Sequence, residues 1–99
     1  MKFNITTLNK VFDNRIRIGV MSALIMNTSL SFKELKEFLD LTDGNLASHL
    51  KNLENNDYIL VNKGFLGRKT NTTYTLTEVG KLAFQKHIEN LESLINKMK

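Results

Sequence analysis

The sequence predicts a mainly α-helical domain with one small β-hairpin, an α+β fold, and three observations lead to this prediction. Apolar residues recur at helical spacing in four segments of the chain. Between residues 58 and 77 the pattern changes, and β-branched and aromatic residues dominate. The 99 residues, 41% of them hydrophobic, suffice for one domain with a modest core. We therefore treat residues 1–99 as one folding unit.

A polar break separates the first two predicted helices. Apolar residues at helical spacing favour a first helix over residues 8–26, and the stretch NTSLS ends it. Ser31 has the character of an N-cap, and Glu34 three residues later completes a capping box. The second helix is predicted over residues 31–40. Its expected buried residues are Leu35, Phe38 and Leu39.

The remaining elements follow at short intervals. Thr42 is placed to cap a third helix over residues 42–56. Residues 58–77 form the predicted hairpin, whose turn lies in the stretch LGRKTN. A long last helix is predicted over residues 78–98. The order helix, helix, helix, hairpin, helix, with a very short turn before the third helix, is that of a winged helix-turn-helix.

The positive charge is concentrated in the second half of the chain. The net charge is +4 and the sequence pI is about 9.5. Residues 1–57 carry equal numbers of basic and acidic side chains, so the excess lies beyond them. The hairpin holds Lys63, Arg68 and Lys69 and no acidic residue. A localised basic loop favours a nucleic-acid contact, and a solvated hairpin tip is the competing interpretation.

The third helix begins with small polar residues, in the stretch LTDGNLASHL. Its leucines are expected to face the core, which leaves the polar residues on the open side. Asn45 is the best candidate to read a base, because an amide pairs bidentately with adenine. Lys51 suits a phosphate, and Ser48 suits a base or a phosphate. The candidate DNA contacts on this helix are Thr42, Gly44, Asn45, Ser48, His49, Lys51 and Asn52.

Some of these candidates have simpler structural interpretations. The simpler role for Thr42 and Asn45 is to form a local helix cap alone, and the side chain of Thr42 in particular suits that position. Asp43 is expected to favour the positive end of the helix dipole, because it would repel phosphate. His49 has an alternative place at the edge of the core.

The hairpin and the last helix supply the other candidate contacts. Arg68 at the hairpin tip suits a narrow minor groove, which concentrates negative potential. The hairpin candidates are Lys63, Arg68, Lys69 and Thr70. The last helix has apolar residues in alternating steps of four and three, the seam of a coiled coil, which favours a homodimer over a helix folded back on the first one. The predicted dimer residues are Phe84, Ile88, Leu91, Leu94, Ile95 and Met98.

The residues also resemble a known group of proteins. DNRIRIGVMSAL, SFKELKEFLDLTDGNLASHLKNLENNDYI and GFLGRKTNTTYTLTEVGKLAF are similar to segments of the small winged-helix transcriptional regulators near the MarR and ArsR groups. The resemblance runs from about Asn9 to the C-terminus and is strongest to regulators that consist of a single DNA-binding domain. It implies sequence-specific binding to double-stranded DNA as a homodimer.

Other functional classes lack support in the sequence. There is no cysteine, P-loop or GxGxxG motif, and the two histidines have no metal-ligand cluster beside them. We therefore expect no catalytic residue, metal or cofactor. A dimer interface would have room for a small effector, and nothing in the sequence identifies one. The alternative to a DNA-binding regulator is a winged-helix module that binds protein without specific DNA contact.

The location expected for the chain is the cytoplasm. The start, MKFNITTLNK, has no apolar run after its lysine, as a signal peptide would have. The longest apolar stretch is much shorter than a membrane span, so no membrane partner is expected.

Overall fold

A computed structural model describes residues 4–99. Two short 3₁₀ turns, Ile5–Thr7 and Lys10–Phe12, precede four α-helices and three β-strands. The helices and strands, in chain order, are α1 Arg15–Met26, β1 Leu30–Ser31, α2 Phe32–Leu39, α3 Asp43–Asn55, β2 Ile59–Leu66, β3 Lys69–Leu76 and α4 Glu78–Met98.

The first helix is shorter than the predicted range 8–26, and this prediction was wrong at its start. Helix α1 begins at Arg15, because the Asn14 side chain accepts hydrogen bonds from the next backbone N–H groups. Asn9 likewise accepts from the Val11 N–H at 3.0 Å and caps an earlier 3₁₀ turn. Asparagine side chains compete with helical hydrogen bonding in this way, so they divide the segment into separate turns.

Helices α2 and α3 form the helix-turn-helix. Ser31 and Glu34 make the predicted capping box, with hydrogen bonds of 3.1 and 3.0 Å. Asp40 ends α2 with a left-handed backbone, φ 53°, and Thr42 caps α3 two residues later. Leu35 is buried as predicted, whereas Phe38 is 60% exposed. Leu35 and Leu39 lie one helical turn apart on the side of α2 that faces the core. Phe38 lies beyond the edge of that side and therefore faces solvent.

The sheet has a third strand that the sequence analysis did not predict. The short strand β1 pairs antiparallel with β3, and Leu30 lies opposite Tyr74. The strand order is β1-β3-β2, so β3 is central. Two residues are too few to show an alternating pattern, which is why the stretch NTSLS gave no strand signal.

One core joins the helices to the base of the sheet. Val20, Met21 and Leu46 are fully buried in it. The first half of α4 closes this core with Phe84, whose ring packs edge-on against Phe12 at a centroid distance of 5.1 Å. The molecule measures 59 × 25 × 21 Å. The fold is therefore an α+β winged helix with a long C-terminal helix.

Candidate nucleic-acid interface

The N-terminal end of α3 is open to solvent. The Thr42 side chain accepts a hydrogen bond from the Asn45 N–H at 3.4 Å and so fills the predicted capping role. Gly44, Asn45 and Ser48 are exposed on the side opposite the buried leucines. The first N–H groups of a helix and its dipole favour an anion at this end. We call these three exposed residues the α3 open face.

Asp43 lies at the start of the same helix, where it could have repelled a phosphate. Its carboxylate is 2.8 Å from the Lys36 ammonium of α2. The Asp43 side chain is 73% exposed and that of Lys36 is 42% exposed, so solvent screens the pair and it contributes little stability. The pair does place a compensating positive charge beside the only acidic residue in the first turn of α3.

His49 lies at the edge of the core and turns towards α1. It is half-buried, and its Nδ1 atom is 3.1 Å from the Arg17 Nη1 atom. The pKa of His49 is lowered mainly by burial and to a smaller extent by the positive charge of Arg17. A neutral imidazole accepts from the guanidinium, which is the arrangement this geometry requires. The alternative placement at the core edge is therefore observed, and the prediction that His49 faces outward was wrong.

Arg17 is a residue that the sequence analysis missed. Its Nε–H donates to the Val11 carbonyl at 2.6 Å, while its Nη1 reaches His49. It thereby links the N-terminal turn and α1 to the middle of α3. The only sequence signal was a charged residue inside the apolar run RIRIGV, and that signal gives no partner.

The last candidates on α3, Lys51 and Asn52, already have partners at the C-terminal end of the helix. The Lys51 ammonium is 3.2 Å from a carboxylate oxygen of Glu54. This surface pair is weak, so Lys51 remains available to a phosphate. Asn52 is half-buried, and the Asn56 side chain donates to its backbone carbonyl at 2.8 Å and to its side-chain Oδ1 at 3.5 Å. Asn52 is consequently a poorer DNA candidate than the α3 open face.

The hairpin of β2 and β3 presents all four of its predicted contact residues to solvent. It closes through a two-residue turn of Gly67 and Arg68, with a glycine φ of 63°. A glycine of positive φ at the first turn position is typical of a type II′ hairpin. The exposed candidates are Lys63, Arg68, Lys69 and Thr70.

The exposed candidates lie on two elements of the fold. Helix α3 carries Thr42, the α3 open face and Lys51, and the hairpin carries Lys63, Arg68, Lys69 and Thr70. The middle of α3 packs over the base of the sheet, where Leu50, Val61 and Tyr74 line a small cavity of about 130 Å³. Burial, and to a lesser extent Glu54, raises the pKa of Tyr74, which stays neutral there.

The predicted dimer residues of α4 divide between the core and the surface. Phe84 is buried against Phe12 within the same chain, so its prediction as a dimer contact was wrong. It belongs to the same apolar stripe as the others, and the stripe runs from the core out onto the surface. Beyond His87 no residue of α4 is buried. The half-buried or exposed members are Ile88, Leu91, Leu94, Ile95 and Met98.

A groove of about 850 Å³ lies between the N-terminal turns and α4. One wall includes Ile5 and Leu8, and the other includes Leu82 and His87. His87 is buried and accepts a hydrogen bond on Nδ1 from the Asn9 N–H at 3.1 Å. The groove also holds Lys10, Lys86 and Asp13. Residues 4–99 contain no cluster of side chains that could hold a metal ion.

Over the same range, no helix has the length and apolar character that crossing a membrane requires.

Comparison with known proteins identifies the family to which this architecture belongs. Residues 16–95 match the family described as "Winged helix DNA-binding domain". The chain is 33% identical over 85 residues to an uncharacterised protein of Methanocaldococcus jannaschii, covering 86% of this chain and 92% of that one.

Two solved structures are also similar. A transcriptional regulator homologue from Pyrococcus horikoshii OT3 superposes with a TM-score of 0.83 at 27% identity, over 90% of this chain and 88% of that one. The reduced transcriptional regulator YodB from B. subtilis gives a TM-score of 0.70 at 26% identity, over 84% and 79% of the two chains. The chain therefore belongs to the family of winged-helix DNA-binding domains and is a DNA-binding regulator rather than an enzyme.

Proposed function

We propose that this protein is a sequence-specific regulator of transcription that binds double-stranded DNA as a homodimer. The observation that carries the proposal is the pairing of an open helix N-terminus with an acid-free basic hairpin. The description of relatives from P. horikoshii and B. subtilis as transcriptional regulators supports it.

Helix α3 is the proposed recognition helix, with its N-terminal end in the major groove. A groove about 12 Å wide admits a helix, and the residues of its first turns meet the base edges. Asn45 would read an adenine, and Ser48 would contact a base or a phosphate. Gly44 has no side chain, so the backbone can approach the duplex closely.

The hairpin is the proposed wing. Arg68 would enter the adjacent minor groove, and Lys63, Lys69 and Thr70 would contact the backbone beside it. The hairpin contains no acidic residue that would oppose these contacts. Such charge contacts hold the protein on DNA without reading its sequence.

The homodimer would form through the second half of α4. This helix of 21 residues is roughly 31 Å long, and its apolar stripe continues past the end of the core. A second copy that covers the stripe gives a two-fold dimer. Such a dimer would set two copies of α3 about 34 Å apart, one turn of DNA.

A comparison of two variants separates the wing from the recognition helix. Arg68→Ala with Lys69→Ala should weaken binding to every duplex alike, and should make the log–log salt slope shallower by roughly 0.9 for each phosphate that the variant no longer neutralises. Asn45→Ala should keep the salt slope and reduce the preference among sequences.

The measurement is fluorescence anisotropy at several salt concentrations, with duplex from around the protein's own gene and a scrambled duplex as the control. Wild-type salt dependence in the double variant would contradict the wing assignment. If the wild-type protein binds neither duplex at low salt, the module that binds only protein becomes the better explanation.

A further inference from the structure

The tip of the hairpin carries two large apolar side chains in solvent. Phe65 is 74% exposed and Leu66 is 68% exposed. Exposed hairpin tips ordinarily carry polar residues, because apolar groups there gain nothing from folding. Burial within the protomer therefore does not explain why these two residues are apolar.

The strand register decides which face each residue occupies. Phe65 lies opposite Thr70, and Lys63 lies opposite Thr72. Side chains alternate between the faces of a strand, so Phe65 and Lys63 share the face of Val61 at the base. Val61 lines the small cavity together with Leu50 of α3, so this face of the hairpin is turned towards α3. We call the part of this face beyond the core the distal wing face; it consists of Lys63, Phe65, Thr70 and Thr72.

Within residues 4–99, no further strand extends over the distal part of the hairpin. Strand β1 pairs only with Thr73 and Tyr74, so the hairpin is two-stranded from there to its tip. The four pairs that follow extend it by roughly 13 Å beyond the three-stranded region. Phe65 lies near the far end of this extension and is available to a partner molecule.

The charge around Phe65 indicates the chemistry of that partner. The hairpin offers ammonium and guanidinium groups and several threonine hydroxyls, with no acidic side chain. A partner that suits these groups is a polyanion with apolar surface between its charges. The minor groove of DNA has this composition, with phosphates on its rims and deoxyribose along its walls. Helix α3, the proposed recognition helix, packs against the same face of the sheet, so a duplex bound by α3 would also lie beside the distal wing face. This arrangement favours DNA over an acidic protein surface as the partner.

We propose that Phe65 is an apolar DNA contact of the wing, packed against deoxyribose at the edge of the minor groove while Lys63 and Thr70 contact the flanking phosphates. This inference rests on the proposed DNA-binding function and adds a contact that does not depend on charge. Its energetic signature differs from that of Arg68, because burial of an aromatic ring releases no counterions.

The test compares Phe65→Ser with Leu60→Ser in the full-length protein. Leu60 is a matched control, since it is 56% exposed on the same strand but on the opposite face. Anisotropy with the duplex from the protein's own gene region should show a roughly tenfold weaker affinity for Phe65→Ser and an unchanged salt slope. Leu60→Ser should bind as the wild type does, and Phe65→Leu should recover much of the affinity.

Three results would overturn the inference. Equal affinity of Phe65→Ser and the wild type would remove Phe65 from the interface while leaving the proposed function intact. A weaker affinity together with a change of oligomeric state in sedimentation would assign Phe65 to a protein contact. Failure of the wild-type protein to bind any duplex would reject the proposed function and this contact with it.

Discussion

His87 shows how one buried side chain makes stability depend on pH. Burial lowers the pKa of His87 below 6.5, and the nearby Asp13 carboxylate offsets part of this shift. The neutral ring accepts the Asn9 N–H and packs against Phe12. The unfolded chain keeps the ordinary histidine pKa, so it takes up the proton first as the pH falls. The free energy of unfolding should therefore be highest above about pH 6.5 and decrease below it, until the lowered pKa is passed.

The measurement for His87 is urea denaturation between about pH 5 and pH 7.5. His87→Gln keeps an acceptor for the Asn9 N–H and removes the titration, so its stability should vary less over this range. The pKa of His49 is also lowered, so its titration contributes to the same pH dependence of stability. His49→Gln is therefore the reference variant, which shows how much of that dependence belongs to His49. If His87→Gln retains the full wild-type pH dependence, His87 is not the group responsible.

The contact residues differ in how far the sequence could identify them. Asn45 and Ser48 were correctly placed on an open face, because the spacing of the leucines alone fixes the opposite side of a helix. His49 could not be placed in this way, since its orientation depends on Arg17, which is 32 residues earlier in the chain. A side chain at the boundary of a helix face is decided by its tertiary partner, and one sequence does not reveal that partner.

Whole helices and strands also differ in how far the local sequence alone could predict them. Helices α2, α3 and α4 carry their caps in the local sequence, so their observed ends lie within one residue of the predicted ranges. The start of α1 was misjudged because its apolar spacing continues through the 3₁₀ turns that precede Asn14. Strand β1 exists only because β3 offers it a partner. Local chemistry predicts where an element ends more reliably than periodicity alone.

The junction between β3 and α4 depends on a glycine. A Cβ at Gly80 would lie 2.8 Å from the Tyr58 Cα and closer still to its carbonyl oxygen. That carbonyl also accepts the Thr77 N–H at 3.1 Å, so the backbone there cannot easily move away. Gly80→Ala should lower the free energy of unfolding by roughly 3 kcal/mol, measured by urea denaturation.

Gly44→Ala is the matched control for Gly80→Ala. Among the described residues, apart from its chain neighbours and the backbone of its own helix, no atom lies within 4 Å of the position of its Cβ, and Gly44 is also in the first turn of a helix. Alanine has the higher helix propensity, so Gly44→Ala should leave stability unchanged or raise it by up to about 1 kcal/mol. Equal effects of the two substitutions would show that the close approach at Tyr58 does not limit stability.

At the scale of the whole molecule, the apolar stripe of α4 tests the proposed dimer. Ile95 is 53% exposed and Met98 is 77% exposed, so neither supports the protomer core. Ile95→Glu should therefore leave the fold intact and produce monomers, because a carboxylate buried between two copies lacks a partner. Asn96→Glu places the same charge one residue later, on the exposed side that carries Glu92, and should remain dimeric. Sedimentation and circular dichroism on both variants provide the measurement.

A monomer should also bind its operator more weakly, since it spans one half-site. Dimers of Ile95→Glu would mean that two copies meet elsewhere, for which the exposed groove of Ile5 and Leu82 would be the next surface to examine.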